Sequence, residues 1–266
     1  MEEKSNITVI IPLNGLAEHE VSYFDRAINS VKNMITKPDE IIITMCNCPD
    51  MNKFIEEYNY DGLNVTKLIN PDSNSFAKQI NFAASKVKTK YFSILEFDDE
   101  YSKKWFTHVL EYEKHYPEVK IWLPIVVDIN PEKNFLGLTN EAVWAMNFCD
   151  ELGFLDEQSL NNFPNFQTSG AVIETDSFLT FGGLKSNIKL TFVYELLLRL
   201  VHQDVKTMTI PKVGYIHTNL RENSIFWNYK FNQELIVSPK DADFWIQTAR
   251  KEYFYPYERE ISIDQT

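Results

Sequence analysis

Apolar residues gather along this chain in short unbroken runs, with stretches between them in which they recur every three to four positions. Ile7 to Ile11 is a β-branched run closed by Pro12, and Ile41 to Thr44 is a second. Neither alternates with polar residues, so both read as central strands buried on two faces. Between them Val21, Phe24, Ala27, Ile28, Val31 and Ile35 recur at helical spacing, giving a strand, helix, strand unit. Leu63 to Ile69 supplies a third strand, ended by Asn70-Pro71-Asp72. Phe76, Ile80, Ala83, Ala84 and Val87 then mark a helix over about 75–87. The strand Tyr91 to Leu95 follows, then a helix around 103–115 and a strand over 121–127.

Between 130 and 167 the periodicity loosens, and Trp144, Phe148, Phe154, Phe163 and Phe166 are scattered among polar residues. Such a stretch reads as binding loops, or as packing with a helix over 141–152. Regularity returns at Gly170 to Ile173, in a helix over about 190–202, and in strands over 207–210 and 213–217. Phe244, Trp245, Ala249 and Tyr253 give a terminal amphipathic helix over 241–255. Alternation of this kind predicts an α/β fold, a mixed and mostly parallel sheet flanked by helices, with ligands collecting at the carboxyl ends of the strands. The expected organisation is one domain over 1–225 and a helical C-terminal extension over 226–266 packed on it.

Composition narrows the partners. The chain has 266 residues and a formal net charge of −12, which argues against nucleic acid or an anionic membrane, since both are bound through Lys and Arg patches. The acidic, polar start has no secretory apolar region, and no run of about 18 apolar residues exists to span a bilayer. A cytoplasmic protein is therefore expected. Its three cysteines, Cys46, Cys48 and Cys149, read as reduced thiols.

The candidate chemistry lies where Tyr91-Phe92-Ser93-Ile94-Leu95 stops at Glu96-Phe97-Asp98-Asp99-Glu100. Clustered carboxylates at a strand end are oxygen ligands suited to Mg²⁺ or Mn²⁺, with positions left for the phosphates of a nucleotide. A solvated acidic turn that caps the next helix is the alternative.

Several motifs in order resemble the family 2 glycosyltransferases of GT-A fold. Ile7 to Asn14 is similar to the family's first strand, and Ala27-Ile28-Asn29-Ser30-Val31 to its Ala-x-x-Ser-Val helix. Asn81 with Ala83-Ala84 stands where the family has an Arg-Asn helix, and Glu96-Phe97-Asp98 resembles its Asp-x-Asp element. Gly170 and Gly182-Gly183 match an acceptor-side glycine loop, Tyr194 to Arg199 the helix bearing the catalytic carboxylate, and Ile210-Pro211 to His217 the terminal strand and histidine. The resemblance covers roughly 7–224.

It implies an inverting transfer of a sugar from a nucleotide-diphospho-sugar, UDP-sugar favoured, to a hydroxyl acceptor in glycan synthesis, with Mn²⁺ or Mg²⁺. Pro12, Asn14, Asn47, Lys78, Asn81, Glu96 and Asp98 are expected against the donor. Asp98, Asp99 and His217 are expected to hold the metal. Asn47 and Lys78 are departures: they stand in for the base-reading Asp and for the Arg of the Arg-Asn pair. The usual Glu-Asp pair falls on Phe192-Val193, leaving Glu195 as the nearest carboxylate to act as general base, or else as an ion-pair partner of Arg199. Aromatics between Trp144 and Phe166 are expected to hold the acceptor. Because of Phe192-Val193, a catalytically silent sugar-nucleotide or glycan-binding module is the competing reading. A nucleotidyltransferase ranks last, since Asn14-Gly15-Leu16-Ala17-Glu18 is a poor phosphate loop.

Overall fold

Strand β1 (Ile7–Leu13) sends Ile7, Val9, Ile11 and Leu13 into one apolar core and Ile10 into another, so the sheet separates two cores. The computed structural model describes residues 5–71, 75–222, 224 and 242–261. After β1 come α1 (Val21–Lys32), β2 (Glu40–Met45), α2 (Pro49–Glu57), β3 (Val65–Ile69), α3 (Phe76–Ala84) and β4 (Tyr91–Ile94). These are followed by β5 (Glu100–Tyr101), α4 (Trp105–His115), β6 (Ile121–Ile129), β7 (Phe135–Thr139), α5 (Glu157–Asn162) and β8 (Val172–Glu174). Then come α6 (Thr175–Thr180), α7 (Phe192–His202), β9 (Thr207–Thr218) and α8 (Ala242–Glu252).

The described strands form one sheet in the order β3-β2-β1-β4-β8-β6-β9-β5, with β7 on β6. β1 is parallel to β2 and β4, β2 to β3, and β6 to β9; β8 runs antiparallel between β4 and β6. Six strands therefore point the same way and present their carboxyl ends along one edge. One core holds Phe24, Ile28 and Val31 of α1 with Trp105, Phe106 and Val109 of α4. The other holds Ile80, Ala83 and Ala84 of α3 with Leu196 to Leu198 of α7 and Ala249 of α8. Each buried aliphatic or aromatic side chain of this kind contributes about 1.5–3 kcal/mol relative to exposure.

Several boundaries differ from the pattern-based reading, each for a physical reason. Pro12 lies inside β1, paired with Thr44, because β4 stops pairing at Ile10↔Ile94 and leaves that flank without a donor to lose. Ile35 is 56% exposed, since α1 ends at Lys32. The two strands expected over 207–217 are one, with Pro124 and Pro211 accommodated where the β6–β9 register shifts. The helix expected over 141–152 is a 3₁₀ turn at Glu141–Trp144, entered through Asn140 at φ +73. α2, α5, α6, β5 and β7 were not expected at all. The domain boundary expected at 225/226 lies outside the described residues.

Candidate active site at the carboxyl edge of the sheet

The chain leaves β4 at Leu95, and β5 pairs antiparallel with β9 through Glu100↔Ile216 and Tyr101↔Tyr215. The acidic turn between them must therefore cross the carboxyl edge from β4 to the end of β9. Thr218 fastens it there: its N–H donates to Asp99 Oδ1 (2.7 Å) and its hydroxyl to the Asp98 carbonyl (2.6 Å). Beneath Tyr215, Gly170 has a φ of +71 and no room for a side chain; an added Cβ would lie 2.4 Å from the Tyr215 ring. Trp105 Nε1 donates to the Gly170 carbonyl (2.7 Å), and the Glu96 N–H donates to the Tyr215 hydroxyl (3.0 Å).

Around this crossing lies a cavity of ≈930 Å³. Pro12, Asn14 and Glu20 line it from the end of β1 and the turn after it. Glu96, Asp98, His217 and Arg221 line it from the acidic turn and the end of β9, and Phe192 and Val193 from the start of α7. Parallel pairing puts His217 beside Asp128, and His217 Nδ1 lies 2.8 Å from Asp128 Oδ1, while Thr139 Oγ1 donates to Asp128 Oδ2 (2.8 Å).

Crowded charge in a partly dry site displaces the acidities. Burial, and then the Asp98 charge, push Glu96 up to about 6 against the opposing pull of His217, Arg221 and the Ser169 hydroxyl. Burial likewise raises Asp99 well above the usual carboxylate range, and its Oδ2 has no hydrogen-bond partner among the described residues. Burial works against protonation of His217, yet Asp99, Asp128 and Glu96 raise it to about 10 in the absence of a metal; a cation that took this ring as a ligand would displace its Nε2 proton.

Of the residues expected at the site, Pro12, Asn14, Glu96, Asp98 and His217 share the cavity. The others do not. Asn47 and Lys78 are exposed and outside its lining. Asn81 holds the backbone of Leu184 at two points, donating from Nδ2 to its carbonyl (2.8 Å) and accepting its N–H at Oδ1 (2.8 Å). Asp99 is fully buried behind the turn and engaged by Thr218.

Glu195, expected as the general base, does not reach the cavity. Its carboxylate is 0% exposed, accepts two bonds from Arg199 (both 2.9 Å), and lies 2.8 Å from Lys185 Nζ, outside the cavity. Asp150 and Glu151 are exposed and also outside it. The aromatics expected to hold an acceptor mostly contact one another or the sheet: Phe148, Phe166 and the exposed Phe163 meet edge-on or tilted, and Trp144 Nε1 donates to the Thr209 carbonyl. Phe166 alone of them lines the cavity.

Sequence reasoning missed Glu20, Asp128, Ser169 and Arg221. Only Arg221 carried a signal, as a cation four residues past the terminal histidine. The others depend on sheet register and on a loop crossing.

The available ligand atoms bear on whether a divalent ion fits. Among the described residues, no three His, Cys, Asp or Glu side chains are grouped to hold a metal by themselves. Asp98 and His217 do face one cavity, however, and Mg²⁺ is commonly held by one or two protein ligands together with substrate phosphates. The residues fit an ion that arrives with a nucleotide diphosphate.

The model of glycosyl transferase family 2 matches residues 9–169. Among solved structures, S. aureus TarS 1-349 in complex with UDP-GlcNAc superimposes with a TM-score of 0.64 at 14% identity, covering 85% of this chain and 61% of that one. The mannosyltransferase PcManGT from Pyrobaculum calidifontis, in complex with GDP-Man and Mn²⁺, gives a TM-score of 0.60 at 12% identity, covering 86% and 61%. The chain thus spans about three-fifths of the length of these neighbours. No curated protein has a significantly similar sequence. No helix among the described residues is long and apolar enough to cross a membrane. The sheet is that of the GT-A glycosyltransferases, and with more than half of its length matched by the family model this chain belongs to glycosyl transferase family 2.

Proposed function

We propose that the protein transfers a sugar from a nucleotide-diphospho-sugar, UDP-sugar before others, to a hydroxyl acceptor in glycan synthesis, by single displacement with inversion and with Mn²⁺ or Mg²⁺. The observation that carries this reading is the convergence of Glu96, Asp98 and His217, from two strand ends, on one cavity of ≈930 Å³. That volume suits a nucleotide sugar. The nucleotide sugars and the Mn²⁺ named with the two neighbours support the donor class and the ion.

In this reading Asp98 and His217 hold the cation together with the diphosphate. When bound, the cation withdraws negative charge from the departing diphosphate. Glu96 is fixed in place by its own N–H on Tyr215 and by Ser169, and it faces the donor as a hydrogen-bonding carboxyl. His217 is oriented by Asp128, which fixes its Nδ1 and directs Nε2 as the ring's remaining ligand atom. Phe192 and Val193 line the cavity at the start of α7 and exclude water from that wall.

A second reading keeps the donor site without turnover. It is favoured by Phe192 and Val193 lining the cavity where the family carries an acidic pair, with Glu195 buried behind them. Titration calorimetry with UDP, GDP and their sugar conjugates, in Mn²⁺ and then in EDTA, tests the donor site on the wild type and on Asp98→Ala. Metal-dependent binding that Asp98→Ala abolishes is the expected result. Absence of nucleotide binding under both conditions would overturn the reading, and release of UDP in the presence of acceptors separates the enzyme from the silent module.

A further inference from the structure

The Arg221 guanidinium occupies the acidic site from within the protein. Its Nε donates to Asp98 Oδ2 at 2.5 Å, and the same group pairs with Glu20 Oε1. Its Cζ lies 4.8 Å from the centre of the Phe97 ring, so the group is stacked as well as paired. Only 12% of the side chain is exposed. Glu20 is itself anchored, because its Oε2 accepts the Ala17 N–H at 2.9 Å. One cation thus ties the turn after β1 to the acidic turn after β4, and both residues that it grips line the cavity.

Arg221 is positioned for release. Thr218, three residues earlier, is bonded to Asp98 and Asp99, so the end of β9 is fixed. Between that fixed point and the guanidinium, Leu220 adopts φ +62, a left-handed conformation that strains a residue bearing a β-carbon. Leu220 is also 43% exposed, so burial does not repay that strain. A short strained link joining a rigid strand end to a stacked, doubly paired cation can rotate about a few torsions.

We propose that Arg221 is a latch: in the donor-free protein it neutralises Asp98 and Glu20, and on donor binding its guanidinium passes to the diphosphate, freeing Asp98 for the cation. This rests on the donor site proposed above. The chemistry favours the exchange. A guanidinium matches diphosphate oxygens as well as carboxylate oxygens, and two anions cannot both hold it at full strength. A consequence is that cation and nucleotide bind in concert, since Asp98 is occupied until a diphosphate draws Arg221 away.

The latch predicts changes of opposite sign on removing one residue. Arg221→Gln should bind Mn²⁺ alone about tenfold more tightly, because Asp98 and Glu20 lose their counter-charge, and should bind UDP in EDTA about tenfold more weakly, because the diphosphate loses a charged partner. General damage to the fold weakens both. Glu20→Gln cuts one tether without touching Asp98, so UDP binding in EDTA should strengthen a few-fold, and the same change in the Arg221→Gln background should give no gain. Both calorimetric titrations are run on the full chain.

An unchanged or weakened Mn²⁺ affinity in Arg221→Gln would overturn the latch on Asp98. Unchanged UDP affinity in that variant would overturn the transfer to the diphosphate. If the wild type binds no UDP, the donor reading fails and the transfer with it, while the Mn²⁺ titration still decides the Arg221–Asp98 contact.

Discussion

Glu195 and Arg199 stand one turn apart on α7 and form a two-point ion pair with both side chains essentially out of solvent, 0% and 1% exposed. Lys185 closes the group, reaching Glu195 at 2.8 Å and the carbonyls of Glu252 and Tyr255 at 2.6 and 2.7 Å. Arg199 also donates to the carbonyls of Phe181 and Gly183. Glu195→Ala would leave two buried cations without their anion, and the expected loss is about 3–5 kcal/mol in urea unfolding. If stability barely changes while turnover is abolished, Glu195 acts as the base after all.

Asp128 touches no donor in the proposed reading, yet it sets the His217 ring. Asp128→Asn should lower Mn²⁺-dependent UDP binding by about 10–100-fold, the usual effect of removing the partner of a metal-ligating histidine. Metal-free UDP binding should change much less, and calorimetry in EDTA provides that comparison.

Acid should loosen the packing of α8 before it melts the sheet. At the start of α5, Asp156 accepts the Ser159 N–H, while Glu157 accepts the Tyr253 hydroxyl of the C-terminal segment and lies 2.9 Å from His202 Nδ1. Burial raises both carboxyls, but these hydrogen bonds, with the His202 charge at Glu157, outweigh it and hold them below their ordinary values. A folded pKa below the unfolded one means that the unfolded chain binds more protons as pH falls. Their contribution is therefore complete above the unfolded values, about 4, and is lost through the lower folded values. Thermal melts from pH 7 to 3 should show a steeper acid limb for the wild type than for Glu157→Gln, with amide exchange in α8 rising first.

Two glycines with the same backbone need separate what their surroundings demand. Gly62 has φ +79 and open space where a methyl group would stand, whereas Gly170 has φ +71 and the Tyr215 ring 2.4 Å from that position. Gly62→Ala should cost only the left-handed penalty, about 1–2 kcal/mol. Gly170→Ala should cost more and weaken UDP binding, because moving Tyr215 shifts the partner of the Glu96 N–H. Equal losses in the two variants would show that Tyr215 yields freely.

The parallel framework was legible because β1, β2 and β4 are buried on both faces and read as unbroken apolar runs. Within the site, Glu96 and Asp98 stood out as carboxylates ending such a run, and His217 as a histidine ending another. The role of Asn81 in holding Leu184 was not legible, because an amide that imitates a backbone strand looks the same in sequence as one that binds a ligand. For Glu195 the ion pair with its i,i+4 partner Arg199 was visible as one of two readings, but the third member, Lys185, and the burial of all three arise from packing across the fold. Asp128 and Glu20 were out of reach, since only the β6–β9 register and the turn after β1 bring them to the edge.

The clasp of Thr218 on the acidic turn divides the cavity wall into a part that keeps its shape and a part free to respond. With one residue holding both the Asp98 carbonyl and the Asp99 carboxylate, the relative positions of Asp98 and His217 are inherited from strand pairing and do not wait on a substrate. In the proposed reading, adjustment to a bound donor then falls to the turn after β1 and to residues 219–222, where Arg221 joins the two. Variation among related chains can accumulate in those two segments without disturbing the geometry on which charge neutralisation depends.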